Sequence, residues 1–142
     1  MGKLTLQDIK IFPLIKVSTV GGDILHGLKK TDSGFDGFGE AYFSQIHKGS
    51  IKAWKQHKLM TMNLIVPIGT IRFVFFLNGE YREEKIGTNN YARVVVPPGI
   101  WFGFQGIEST DNLLLNIASI PHDPTEAIRL PLENITYSWG AL

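Results

Sequence analysis

The sequence contains no cysteine. Disulfides, thiolate nucleophiles and cysteine-held zinc or iron–sulfur sites are therefore excluded. Long apolar runs are missing too. The longest, from Leu64 to Leu77, is broken by Pro67, Gly69 and Arg72 and cannot serve as a membrane-spanning helix. The N-terminal stretch has no basic region followed by an apolar core, so no secretory signal is expected and the expected location is cytoplasmic. Charge of one sign is also lacking. Lys+Arg number 14 and Asp+Glu 13 among 142 residues, a formal net charge of +1. That balance excludes the broad basic face of a nucleic-acid binder. Charged residues make up only 19% and hydrophobic ones 44%, which is enough for a core and argues against disorder. No repeat, low-complexity tract or shift in composition divides the chain, so a single domain over residues 1–142 is expected.

What is present is strand signal. Ile9 to Val17 is a β-rich run interrupted by Pro13, which reads as an edge strand or a bend. "FGEAYFSQI" and "GSIKAW" alternate like half-buried strands. "KLMTMNLIV" and "TIRFVFFL" are two strands joined through Pro67, Ile68 and Gly69. Asn78-Gly79 gives the strongest hairpin signal in the chain. "YARVVV" is a buried strand that stops at Pro97-Pro98-Gly99. Only Pro124 to Ile128 could start a short helix. Many short strands with regular turn signals predict an all-β protein, best a double-sheet jelly roll. "VVV" and "FVFF" are apolar on both faces, which predicts a homodimer whose partner covers one sheet.

A jelly roll raises the question of the cupin metal site, in which a glycine and five further residues precede His-x-His, with a glutamate and a third histidine downstream. Here Gly49 and five further residues precede Lys55-Gln56-His57. Thr61 and Met62 stand where the glutamate would fall, and Phe102 stands where the third histidine would fall. One ligand of the set, His57, remains, and a protonated lysine beside it repels a divalent ion. No metal and no cofactor are expected. His26, His47 and His122 lie in unrelated segments and form no ligand pattern.

The string "KGSIKAWKQHKL" resembles the segment of the dTDP-4-dehydrorhamnose 3,5-epimerases, the RmlC-type cupins, that reads Arg/Lys-Gly-x-Leu-Arg-Gly-x-His and then Gln-Gly-Lys-Leu. "MTMNLIVPIGTIRFVFF", "VVVPPGIWFGF" and "HDPTEAIRLPLENITYSW" resemble that family's later segments in the same order. The resemblance implies a cupin-type double-stranded β-helix and metal-free epimerisation of a nucleotide-linked 4-keto sugar. In that chemistry a histidine removes the proton beside the ketone, a lysine stabilises the enolate, and a tyrosine returns a proton. An α-proton is acidic only when the charge growing on the keto oxygen is met by a cation or donor. By the resemblance Lys58 is the enolate-stabilising lysine and Lys52 replaces the phosphate-binding arginine. Lys55 stands at the histidine base, Leu115 near the tyrosine, Phe102 at a histidine, and His26 at an N-terminal glutamate.

Read from the residues, Lys52, Lys55, Lys58 and His57 are either a basic strand edge that discourages pairing or a cluster that holds a diphosphate and moves a proton. In a regular strand Lys55 and His57 share one face, and Lys52, Trp54 and Lys58 share the other. Trp54, Trp101, Phe102 and Phe104 are core packing or a wall against which a sugar or base stacks. Tyr42 and Gln45 precede the motif, and Tyr42 is either an acid or a buried tyrosine with a satisfied hydroxyl. Lys58, His57 and Lys55 are thus the candidate catalytic residues, and Lys52, Trp54, Gln45, Phe102 and His26 the candidate substrate contacts. The expected function is epimerisation or isomerisation of a dTDP-type 4-keto-6-deoxy sugar by enolate chemistry. The alternatives are a catalytically inactive cupin that binds a sugar or sugar nucleotide, and an interaction protein with no small ligand.

Overall fold

The computed structural model describes residues 2–140. Its strands are β1 (Lys10–Pro13), β2 (Lys16–Val17), β3 (Ile24–Leu25), β4 (Glu40–Ile46), β5 (Ile51–His57), β6 (Met62–Ile68), β7 (Thr70–Leu77), β8 (Glu80–Gly87), β9 (Ala92–Val96), β10 (Trp101–Gly106), β11 (Asn112–Ala118) and β12 (Ala127–Arg129). Two short 3-10 turns, Leu6–Asp8 and Leu132–Asn134, are the helical content among the described residues. β1-β9-β6-β11-β4 form one antiparallel sheet and β12-β5-β10-β7-β8 the other, while β2 and β3 make a separate ribbon. The architecture is the all-β jelly roll that the strand pattern predicts.

Local chemistry explains the turns. Asn78 and Gly79 have φ of 50° and 79°, the backbone of a two-residue hairpin that the right-handed strand twist selects. β1 ends at Pro13 on a sheet edge, where a missing N–H costs no ladder bond. Gly69 carries the chain from the first sheet into the second. Its φ is +82°, and a Cβ there would lie 2.4 Å from Asn112 Oδ1, the atom that accepts the Thr70 N–H. The stretch considered for a helix, Pro124 to Ile128, instead turns and enters β12. It is too short and too little apolar on any one face to repay helix nucleation.

Leu64, Val66, Val94 and Leu114 from the first sheet meet Ile71, Phe73, Phe75 and Phe102 from the second in one core. Each such side chain contributes about 1.5–3 kcal/mol by leaving water. The outer faces of the doubly apolar strands are covered by the chain itself. Outside the second sheet Val74 packs with Trp54 and Ile135, joined by Phe76, Trp101, Tyr137 and Trp139. Outside the first sheet Gly34 lies so close to Val95 that a Cβ would come within 2.7 Å of its Cγ2, and the Gly34 carbonyl accepts from Asn63 Nδ2 at 3.0 Å. The apolar runs that pointed to a partner chain are thus explained within one chain. No helix among the described residues is long and apolar enough to cross a membrane.

Candidate active site

The motif "KAWKQH" lies on β5, between β10 and β12. Against β10 its register slips: Phe102 faces Lys55 and Phe104 faces Lys52, so three steps on β5 match two on β10. The extra residue is a β-bulge, which turns Lys52 onto the same face as Lys55 and His57. Gly103 permits it, since a Cβ there would sit 2.5 Å from the Ala53 Cβ. Strict alternation, which separates Lys52 from Lys55, therefore fails at the one place where the site needs it to fail.

All three side chains line a cavity of about 570 Å³ between the two sheets. Its second-sheet wall also holds Phe102, Phe104 and Arg129, and its first-sheet wall holds Tyr42, Ser44, Met62 and Asn116. Asn116 Nδ2 donates to Ser44 Oγ at 3.0 Å. Phe102, expected either as core or as a substrate wall, belongs to the core and also lines the cavity, 5.9 Å from the His57 ring.

At the deep end His57 is buried and its Nδ1 lies 2.7 Å from Glu126 Oε1. The other carboxylate oxygen, Oε2, accepts the backbone N–H groups of Leu59 at 3.1 Å and Met60 at 2.9 Å. Burial works against the charge on Glu126, but His57 and these two donors outweigh it and hold the carboxyl below its ordinary value. Burial likewise holds His57 below its ordinary value; Glu126 opposes this, and Lys55 and Arg129 reinforce it. The ring is therefore neutral at pH 7, with its proton on Nδ1 facing the carboxylate. Nε2 has no hydrogen-bond partner among the described residues. A buried histidine with one nitrogen anchored and a lone pair on the other can act as a general base.

Positive charge gathers beside it. β12 sets Arg129 directly opposite Lys55. Burial, then Arg129, holds the Lys55 amine below the ordinary lysine value, with Glu126 pulling the other way. Lys52 reaches the rim and donates to the Gln45 carbonyl at 2.8 Å. Tyr42, from the opposite sheet, is pushed up by burial and by Glu40 and stays protonated. Among the described residues no three His, Asp or Glu side chains gather as a metal site.

The other expected residues lie elsewhere. Lys58 is exposed and outside the cavity wall. β5 ends at His57, and the Lys58 N–H is tied to the Glu126 carbonyl at 2.9 Å, so its side chain leaves the sheet. The indole of Trp54 packs 5.5 Å from Trp139 in the outer aromatic cluster, with Nε1–H donated to the Leu132 carbonyl at 3.1 Å. Trp54 borders the cavity, but its ring belongs to the outer cluster. The side chain of Gln45 alternates outward on β4 and reaches Asp111 at 3.4 Å. His26 is exposed just after β3; its backbone N–H donates to the Ile15 carbonyl at 2.9 Å and its carbonyl accepts from the Tyr91 hydroxyl at 2.6 Å. Glu126 and Arg129 were missed as site residues. They sit in "TEAIRLP", a segment without periodicity, and only the three-residue pairing of β12 with β5 reveals their place.

A two-sheet jelly roll whose interior cavity carries the polar side chains defines the class: this is a small cupin. A solved dTDP sugar isomerase from Desulfovibrio desulfuricans G20 is 33% identical, with a TM-score of 0.88 over 92% of this chain and 90% of that one. The chain belongs to the dTDP-sugar isomerase family of RmlC-like cupins. The fold recurs at lower identity in QdtA, a sugar 3,4-ketoisomerase from Thermoanaerobacterium thermosaccharolyticum, at 19% identity and a TM-score of 0.77 over 89% of this chain and 90% of that one. It recurs also in a dTDP-4-dehydrorhamnose 3,5-epimerase from Sulfolobus tokodaii, at 18% and 0.79 over 96% and 84%. The spore coat polysaccharide biosynthesis protein SpsL of Bacillus subtilis (strain 168) is 21% identical over 95% of this chain and 97% of its own. No protein-family model matches the chain.

Proposed function

We propose that the protein is an isomerase or epimerase that acts, as one cupin domain, on a dTDP-linked 4-keto-6-deoxy sugar by moving a proton on a carbon next to the ketone. The observation that carries this reading is the buried His57–Glu126 pair, whose free Nε2 stands on a cavity wall that also bears Lys55 and Arg129. His57 Nε2 takes the α-proton. The charge leaving that carbon is met on the Lys55–Arg129 side. Lys52, at the rim, meets the phosphates. Tyr42, protonated and on the facing sheet, is placed to return a proton from the other side of the ring. A cytoplasmic location goes with such a substrate. A homodimer is also inferred, now from the exposed apolar residues Ile15, Val20 and Ile24 around the β2–β3 ribbon.

The test is proton exchange. The protein is incubated with dTDP-4-keto-6-deoxyglucose in deuterated buffer and the sugar is followed by NMR. Deuterium entering a carbon beside the ketone, and failing to enter with His57→Asn, is the expected result. Binding without exchange would leave an inactive sugar-nucleotide cupin.

A further inference from the structure

The surroundings of Lys55 do not suit a charged ammonium. On one side its direct cross-strand partner is Phe102, and on the other it is Arg129. One neighbour offers hydrocarbon and the other a second cation, and like charges directly opposite on paired strands repel. Glu126, the nearby carboxylate, is already engaged by His57 and by two backbone N–H groups. Lys52 has an acceptor in the Gln45 carbonyl, whereas Lys55 has no hydrogen-bond or ion-pair partner among the described residues. It nevertheless lines the cavity, two residues along the strand from His57, a rise of about 6–7 Å.

We propose that Lys55 is a nucleophile whose amine adds to the keto carbon of the substrate and carries it as a protonated imine. This rests on the keto-sugar reading above and assigns a covalent role that the resemblance does not imply. The neutral amine gives its lone pair to the carbonyl carbon while the C=O π pair moves to oxygen. A proton passes from nitrogen to that oxygen to form a carbinolamine, and uptake of one further proton expels the hydroxyl as water. The C=N bond that remains is positively charged at the position where enolate chemistry needs a cation. His57 Nε2 then takes the proton from the adjacent carbon. The C–H pair becomes a C=C bond, and the C=N π pair settles on nitrogen as a neutral enamine. Reprotonation at carbon restores the iminium, and one water releases ketone and amine with loss of the proton taken up earlier. One water leaves and one returns, so no oxidant or reductant is required. Burial and the facing guanidinium favour the neutral amine this needs, the setting in which lysines act as nucleophiles.

Two experiments decide it, both on the intact protein. The first needs no sugar: pyridoxal 5′-phosphate is added at pH 7, the product is reduced with borohydride, and the labelled lysines are mapped by peptide mass spectrometry. Lys55 should be labelled ahead of the exposed Lys48 and Lys58, and Arg129→Gln should reduce that advantage. Labelling of Lys55 no faster than of the exposed lysines overturns the proposal. The second adds dTDP-4-keto-6-deoxyglucose with cyanoborohydride. A sugar-nucleotide adduct on Lys55 is expected, as is loss of both adduct and C–H exchange in Lys55→Arg, which keeps the charge but cannot form the imine. Exchange without an adduct, or exchange that persists in Lys55→Arg, overturns the nucleophile and leaves the keto-sugar reading standing. If the wild-type protein gives no exchange, that reading fails instead, and the pyridoxal phosphate labelling judges Lys55 alone.

Discussion

His57 has two ring nitrogens in opposite circumstances, one held by a buried carboxylate and one unpaired. His57→Asn should lower proton exchange by about 100-fold or more, the usual size of a general-base contribution. Glu126→Gln keeps the shape but removes the charge that fixes the tautomer. It should lower kcat by about 10-fold or more and cost about 1.5–3 kcal/mol of stability, because a charged acceptor of three hydrogen bonds is lost. The pH dependence follows from the same pair. With His57 as the proposed neutral base, kcat/KM should fall on an acid limb lying below the ordinary histidine value of 6.5. Stability shifts in the same direction. Both groups titrate lower in the folded protein than in the unfolded chain, so the unfolded chain binds more protons. Stability should therefore be lost as pH drops below 6.5 for His57 and again below 4.5 for Glu126. Urea titrations at a series of pH values, beside rate profiles, check both statements.

At the scale of elements, the bulge on β5 decides which side chains meet. Alternation read from "KAWKQH" puts Lys52 and Lys55 on opposite faces, and nothing local marks the extra residue. The register shift is set by the neighbouring strand, through Gly103 pressed against Ala53. Gly103→Ala should therefore destabilise the fold by about 1–3 kcal/mol, the usual cost of an overpacked contact. It should also weaken nucleotide binding more than a distant substitution of equal cost, measured by calorimetry beside chemical denaturation. Trp54 gives the opposite signature. Its ring belongs to the outer cluster with Trp139, so Trp54→Ala should cost about 3–5 kcal/mol, and Trp54→Phe should retain most of the turnover. The strands themselves were legible, because Asn78-Gly79, Pro13 and the Pro97-Pro98-Gly99 stop act through local backbone chemistry. Glu126 and Arg129 were not, because their roles come from contacts with residues about seventy positions earlier.

At the scale of the whole molecule, the chain covers the outer faces of β9 at Val95 and β7 at Val74 with its own segments, but leaves the β2–β3 ribbon bare. Ile15, Val20 and Ile24 are more than half exposed there. Light scattering at micromolar concentration should give twice the chain mass, and Val20→Asp with Ile24→Asp should shift it to the mass of one chain. A wild-type protein that runs as a single chain counts against the dimer.

The carboxylate that readies His57 and the guanidinium facing Lys55 both arrive with a three-residue strand at the rim of its sheet. Rim strands this short open before the rest of a domain does. Warming should thus silence the chemistry while circular dichroism still reports an intact sheet, so heat tolerance of turnover and heat tolerance of the scaffold become two separately adjustable quantities.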